Sequence, residues 1–355
     1  MNPITENAPL APLTTLRIGG AAKQLWTVES EDECVSALKQ LDDDGEPFFV
    51  LGGGSNVVIA DEGFDGTVLH LVYEGAEHWQ RDDQSFAIDA SAGDDWALLV
   101  DALVEAGLSG VECLAGIPGS VGATPIQNVG AYGQEVAATI EAVRVYNRAA
   151  HQVEELSAAQ CGFGYRSSAL KGNADLVVLG VKFLLERSPL SAPIAYRELA
   201  EKLDVEVGER AEAEAVRAAV LELRRSKGMV LDARDHDTWS AGSFFTNPVF
   251  SADDFQRFEE RAREHCGDGI QPPRFDADDG QFKSSAAWLI EQAGFNRGEQ
   301  RGQVALSSKH TLALTNLGGA GAAELIAFAR EIAARVDELF CVQLRPEPAL
   351  IGIEW

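Results

Sequence analysis

The hydrophobic pattern changes period several times along the chain, and each change marks an element. Between residues 25 and 71, short apolar runs alternate with one helical stretch. The pattern predicts a helix over 31–41 and strands at Phe48-Phe49-Val50-Leu51, Val57-Val58-Ile59-Ala60 and Val68-Leu69-His70-Leu71, separated by a glycine turn and an Asp61-Glu62-Gly63 turn. This is a compact α+β unit. After a strand at 86–90, Asp94 is placed to cap a helix on which Trp96, Leu99, Val100, Leu103 and Val104 keep helical spacing, and Gly107 is placed to end it. Residues 110–135 are rich in glycine and carry little period, which predicts a long ordered loop. Strands return at 140–146 and 176–185. A polar segment with Pro189 and Pro193 then leads to a helical stretch at 211–227, so 188–230 has the look of an insertion. Beyond Gly242, apolar patches at 286–290 and 311–314 precede an amphipathic helix over 322–340, with Leu325, Phe328, Ala329, Ile332, Val336 and Leu339 on one face.

Composition narrows the function classes. A chain of 355 residues exceeds what one hydrophobic core fills, so more than one domain is expected. A formal net charge of -27 leaves no basic excess to release counterions, which argues against nucleic acid or an anionic membrane as partner. An anionic ligand must be held locally, and Arg224-Arg225-Ser226-Lys227 is the one cationic group in a chain of scattered arginines. The five cysteines (Cys34, Cys113, Cys161, Cys266 and Cys341) are widely spaced with no C-x-x-C pair, so neither a disulfide framework nor a zinc site is indicated and buried or half-buried free thiols are expected. No basic-then-apolar leader opens the sequence and no apolar run approaches the ~20 residues that span a bilayer, which predicts a cytoplasmic protein.

Five short segments can carry chemistry. Gly52-Gly53-Gly54-Ser55-Asn56, between two apolar strands, is either a tight turn or a set of amides open to a phosphate. It is neither a P-loop nor a Rossmann fingerprint. Gly116-Ile117-Pro118-Gly119-Ser120-Val121-Gly122-Ala123-Thr124, extended by Gln127-Asn128-Val129-Gly130-Ala131-Tyr132-Gly133, is either a loop folded on itself or a second row of donors suited to a dinucleotide. In Gly164-Tyr165-Arg166-Ser167-Ser168 a guanidinium stands beside a phenol; it is a surface arginine or a group that holds a carboxylate and developing negative charge. Ser243, between Gly242 and Phe244-Phe245, is a turn residue or a hydroxyl held in apolar surroundings as a proton donor. No histidine elbow supports a hydrolase triad. Glu347, flanked by Pro346 and Pro348, is a solvated terminal glutamate or a carboxyl whose charged form is disfavoured.

The order of these motifs resembles that of the UDP-N-acetylenolpyruvoylglucosamine reductase family, the flavoenzymes of peptidoglycan precursor synthesis, over essentially the whole chain from Thr15-x-Arg17-x-Gly19-Gly20 to Gly352. The resemblance implies an α+β fold with an FAD-binding module of the vanillyl-alcohol oxidase type and a C-terminal α+β substrate domain. The expected division is 1–72 and 73–230 for the two halves of the module, the second with the 188–230 insertion, then 231–342 for the substrate domain, with the tail 343–355 near the first half. It implies noncovalent FAD held by Arg17, Leu51, Gly52, Gly53, Gly54, Ser55, Asn56, Ala115, Gly116, Ile117, Pro118, Gly119, Ser120, Gly122, Ala123, Gln127, Asn128, Gly130, Ala131, Tyr132 and Gly133. Arg166 and Glu347 are implied to stabilise an enolate and Ser243 to donate a proton, with Tyr165, Lys227, Asn247 and His310 as substrate contacts. Tyr196 matches the mobile-loop tyrosine of the longer subclass. The implied reaction is NADPH-dependent reduction of UDP-N-acetylglucosamine enolpyruvate to UDP-N-acetylmuramate by a monomer, with no nucleic acid, membrane insertion or metal. An oxidase with covalent flavin and a nonenzymatic nucleotide-sugar binder are the rivals; none of the six histidines lies in either glycine-rich loop.

Overall fold

The computed structural model describes residues 4–267, 269–277 and 280–355. The chain forms two compact bodies. The first comprises Ala22–Gly54 and Phe64–Val230 with the opening residues up to Ala8, and the second Pro9–Ala21, Ser55–Gly63 and Leu231–Trp355. The expected division at 72/73 falls inside the first body. Residues 343–355 belong to the second, where Ala349–Ile351 pairs in parallel with Val57–Ile59.

In the first body, helix Glu31–Asp44 begins at Ser30, whose side chain accepts from Glu33 N, and carries Glu31, Asp32 and Glu33 in the turn where the helix dipole favours acids. Gly45, at φ 66, ends it. Its buried stripe of Cys34, Ala37, Leu38 and Leu41 joins Trp26, Val28, Leu69 and Leu71 in one cluster. The sheet runs in the order Thr5–Pro9, Ala21–Val28, Phe64–Leu71, Phe48–Leu51, and its last three strands are parallel. Phe64–Leu71 starts earlier than its apolar run because Gly66 lets the chain pass Pro47 O, from which a Cβ would lie 2.2 Å.

A six-stranded sheet follows, with path Gln152–Ser157, Ile140–Asn147, Leu176–Arg187, Ser85–Ser91, Ala76–Gln80, and Leu108–Ser109 paired to the third strand. Ala76–Gln80 is exposed throughout and Gln152–Ser157 is mostly polar, as edge strands are, so the apolar pattern missed both. Helix Trp96–Glu105 is capped by Asp95, which accepts from Leu98 N. Asp94, the expected cap, instead accepts from Gly75 N at 2.9 Å and Ser91 N at 2.7 Å. The 188–230 insertion is packed rather than loose: helices Arg197–Leu203 and Ala213–Ser226 contribute Leu199, Val216 and Val220, each 0% exposed, to the same core as Val143, Val181 and Phe183. Residues 110–135 are an ordered run of short turns at Glu112–Leu114 and Val121–Ala123, closing in a hairpin of Gly130–Ala131 with Gln134–Glu135.

The second body is built on helix Ala322–Phe340, whose Leu325, Phe328, Ala329, Ile332 and Val336 are buried. Its cap is remote in sequence. Gly321 supplies no side chain, and Asp61 accepts from Ala322 N at 2.6 Å and Ala323 N at 2.9 Å. Helix Ala252–Cys266, absent from the sequence reading, packs Phe255, Phe258 and Ala262 into the same core. The expected apolar patch at 286–290 is helix Ala286–Gln292.

Cys34, Cys113 and Cys161 are buried and Cys266 is half-buried, but Cys341 is exposed. It is the left-handed residue, at φ 53, that turns the chain away from the end of Ala322–Phe340. Burial pushes the Cys34 and Cys113 thiols up to about 12, so both stay protonated at neutral pH. No helix among the described residues is long and apolar enough to cross a membrane. Among them, no group of three or more His, Cys, Asp or Glu is arranged to hold a metal ion.

Candidate functional site

The first body brings the two glycine-rich segments together. A Cβ on Gly53 would lie 2.7 Å from Gly119 Cα, and one on Gly52 would lie 2.1 Å from Ser120 Oγ. Only glycine allows the two backbones this close. Ser120 Oγ accepts from Gly53 N at 3.4 Å and joins the loops. Gly116 and Gly119 stand at φ 68 and 124, left-handed values that turn the intervening peptides. Leu51, Ala115, Ser120 and Gly122 are buried, while Gly53 and Ala123 are exposed and Ile117, Pro118 and Gly119 are half-buried. Gln127, Ala131 and Tyr132 are half-buried on the next stretch and Gly133 is exposed.

Arg166 sits at φ 51 in a tight turn closed by Gly164 N to Ser167 O at 3.0 Å and Ser167 N to Gly164 O at 3.1 Å. Its Nη2 donates to Gly130 O at 2.8 Å, and its guanidinium carbon stands 5.5 Å from the centre of the Tyr165 ring. Asn128, 1% exposed, donates Nδ2 to Glu135 Oε2 at 2.7 Å and to Gly164 O at 3.1 Å, and accepts at Oδ1 from Ala137 N at 3.1 Å. Its side chain is therefore occupied within the protein.

A third group of the same body gathers around Tyr132. The exposed Tyr196 ring meets it edge-on at 5.6 Å, and Lys227 Nζ lies 5.5 Å from its centre. Lys227 is paired with Glu198. Arg224 turns inward, donating Nη2 to Met229 O at 2.8 Å, while its Nε is buried with no hydrogen-bond partner among the described residues. Burial lowers its guanidinium to about 10 and raises the Tyr132 phenol to about 12, so at neutral pH the first is charged and the second is not. Arg225 is exposed.

In the second body, Phe244 and Phe245 are 1% and 2% exposed and hold the turn at Gly242, φ 73, on the core. Ser243 between them and Gly242 is half-buried, and its hydroxyl makes no hydrogen bond within the protein among the described residues. Phe244 O accepts from Glu347 N at 2.8 Å, and Arg345 O accepts from Thr246 N at 3.1 Å. Ser243 and Glu347 are thus brought to neighbouring backbone positions from opposite ends of the body's last segment. Asn56 joins them, with Nδ2 on Glu347 O at 3.4 Å and its carbonyl accepting from Ala349 N at 3.0 Å. Ser55 O accepts from Thr15 Oγ1 at 3.5 Å, and the same hydroxyl reaches Ser240 O at 2.7 Å. Asn247 Oδ1 accepts from Ala286 N at 2.9 Å, at the start of helix Ala286–Gln292. Arg17, at φ 56, donates to Pro12 O. His310 is half-buried in a turn in which its amide donates to Ser307 Oγ at 3.2 Å.

Glu135 and Glu198 escaped the sequence reading as site residues, whereas Arg224 entered it only as part of the cationic group 224–227. Glu135 stands two residues past Gly133 and Glu198 two past Tyr196, but in an acidic chain neither carboxylate is distinctive.

Residues 22–156 match the family model of an FAD binding domain, and residues 234–351 match that of the UDP-N-acetylenolpyruvoylglucosamine reductase C-terminal domain. The chain is 52% identical over 348 residues to the UDP-N-acetylenolpyruvoylglucosamine reductase of Thermobifida fusca, covering 98% of each protein. It is 50% identical over 357 residues to that of Streptomyces coelicolor, covering 99% of this chain and 92% of the other. In three dimensions it is similar to the UDP-N-acetylenolpyruvylglucosamine reductase of Thermus caldophilus, with a TM-score of 0.64 at 26% identity over 99% of this chain and 98% of that one.

Proposed function

Because the chain belongs to the UDP-N-acetylenolpyruvoylglucosamine reductase family and is a flavin-dependent oxidoreductase, we propose that it reduces UDP-N-acetylglucosamine enolpyruvate to UDP-N-acetylmuramate with NADPH as the electron donor. The observation that carries this reading is the Ser243 hydroxyl, held beside two buried phenylalanines with no hydrogen-bond partner among the described residues, on a segment whose Phe244 O accepts from Glu347 N at 2.8 Å.

The Gly52–Gly54 and Gly116–Ser120 loops would hold FAD: they pack so closely that a Cβ on Gly53 would lie 2.7 Å from Gly119 Cα, which keeps two glycine-rich backbones side by side. FAD, when bound, supplies hydride transfer from NADPH to the vinyl methylene carbon. No histidine lies in the cradle loops, which supports noncovalent binding. Hydride addition places negative charge on the carbon beside the carboxylate and, by delocalisation, on the carboxylate oxygens. The Arg166 guanidinium stabilises that charge, a contribution on the order of 3 kcal/mol for one preorganised donor. Ser243 Oγ gives its proton to the carbon and completes the lactyl ether, and solvent restores the hydroxyl. Glu347 acts with Arg166 on the enolate. Tyr165, Tyr196, Lys227, Asn247 and His310 hold the sugar nucleotide, Asn247 through its Nδ2 because its Oδ1 already accepts from Ala286 N.

The reading is tested by the spectrum of the purified protein under anaerobic conditions. NADPH is expected to bleach a flavin spectrum, and the enolpyruvyl sugar nucleotide to restore it; failure of the colour to return defeats the proposal. Acid precipitation is expected to leave the yellow colour in solution, and colour carried down with the protein points to the covalent oxidase instead.

Lys227 as a diphosphate contact carries its own expectation, since Glu198 stands on it in this structure. A diphosphate must displace that carboxylate. The pair is partly exposed, with side chains 31% and 41% accessible, so its removal is worth at most ~1 kcal/mol. Glu198→Gln is expected to tighten UDP binding about two- to fivefold by titration calorimetry. Unchanged or weaker binding rules out Lys227 as the contact that Glu198 masks.

A further inference from the structure

The stretch from Asn128 to Glu135 does more than line a ligand. Asn128 is nearly solvent-free and stands at φ 49, a left-handed conformation that asparagine tolerates better than most residues. Its amide ties together the start of the loop, its return at Glu135 and Ala137, and the Gly164 corner of the turn that carries Arg166. The guanidinium at the tip of that turn comes back to the same loop, with Nη2 on Gly130 O at 2.8 Å and Nη1 on Asn128 O at 3.5 Å. The first is a good hydrogen bond and the second is at the limit. Both ends of Arg166 are thus referenced to one residue: its backbone through Gly164 O and its side chain through the loop carbonyls. Glu135 lies opposite Gly130 in the hairpin register and holds the Asn128 amide from the other side. Gly130 has no room for a side chain here, since a Cβ would lie 2.9 Å from Gln134 O and 3.3 Å from Arg166 Nη1.

We propose that Asn128 and Glu135 are positioning residues for Arg166, fixing the carbonyls and the turn that aim its guanidinium at the substrate. This rests on the role given to Arg166 under Proposed function. A charged donor stabilises a developing charge only if it is already in place, and a misplacement of about 1 Å costs on the order of a hundredfold in rate. The Asn128 amide is engaged with Glu135, Gly164 O and Ala137 N, so it acts through what it holds.

The test is a double-mutant cycle on the FAD-loaded protein, read by steady-state kinetics and by calorimetric affinity for the product UDP-N-acetylmuramate, which needs no turnover. Asn128→Ala is expected to lower kcat with the enolpyruvyl substrate roughly 10- to 100-fold, with a smaller change in KM, and to weaken product binding. In an Arg166→Ala background the same substitution is expected to add less than about threefold in either readout, because its target is gone. If Asn128→Ala does not fold, Glu135→Ala on the half-buried hairpin replaces it in the cycle with the same expectation. Full-sized effects in the Arg166→Ala background overturn the inference while leaving the role of Arg166 intact. No effect of Arg166→Ala by itself overturns that role, and the inference with it.

Discussion

Ser243→Ala is expected to slow reoxidation of the reduced enzyme by UDP-N-acetylglucosamine enolpyruvate by about 10²–10⁴-fold, the range typical of a lost general acid. Reduction of the flavin by NADPH is expected to keep its rate, because that half of the reaction moves no proton through the hydroxyl. Anaerobic stopped-flow absorbance separates the two. The size of the effect follows from how the hydroxyl is held. Phe244 and Phe245 are buried side by side with ring centres 5.1 Å apart, and Phe244 N donates to Leu312 O at 2.7 Å, so the turn cannot drift. Among the described residues the Oγ makes no hydrogen bond that would have to break first. Alanine keeps the turn and both rings and removes only the hydroxyl. An unchanged reoxidation rate in this variant sinks the assignment, since no refolding of the site is available to explain it away.

The second large effect concerns the cofactor. Gly53→Ala is expected to weaken FAD binding by about 5- to 150-fold, from the ~1–3 kcal/mol that overpacking costs at a tight contact. Its Cβ would meet the Gly119 backbone, with 2.7 Å to Cα and 2.9 Å to the carbonyl carbon, so one loop must move bodily. Gly52→Ala meets Ser120 Oγ at 2.1 Å, a side-chain atom that a rotamer change removes, although that change gives up the bond from Gly53 N. The expected order of FAD affinity is therefore wild type, then Gly52→Ala, then Gly53→Ala, measured by flavin fluorescence on titrating the apoprotein. Wild-type affinity in Gly53→Ala rules out the two loops as one cradle.

The recurrence of period and the turn residues made a long helix of each body legible. Helix Glu31–Asp44 has its serine cap, acidic first turn and terminal glycine all within the local sequence, and helix Ala322–Phe340 has its stripe. Edge strands such as Ala76–Gln80 were not legible, because a strand exposed throughout carries no apolar alternation. Helix Ala252–Cys266 was passed over because so few of its residues are apolar: Phe255, Phe258 and Ala262 hold its buried face among charged neighbours. The cap of Ala322–Phe340 could not be found locally at all, since Asp61 reaches it from 261 residues away in the chain.

The candidate site divides in the same way. Sequence alone determined the residue types and their order: glycines where backbones must approach, a serine before two phenylalanines, an arginine beside a tyrosine, a glutamate between prolines. These are covalent facts and local conformational preferences, and the resemblance of their order to one family needed nothing more. Only the tertiary structure decided what each polar atom has to bond with. It put Glu198 on Lys227, turned Arg224 inward, occupied the Asn128 amide with Glu135 and Gly164, and left the Ser243 hydroxyl without a hydrogen-bond partner among the described residues. Hydrogen bonds and ion pairs depend on distances of a few ångströms between segments far apart in the chain, and the hydrophobic pattern that drives the fold contains no record of them.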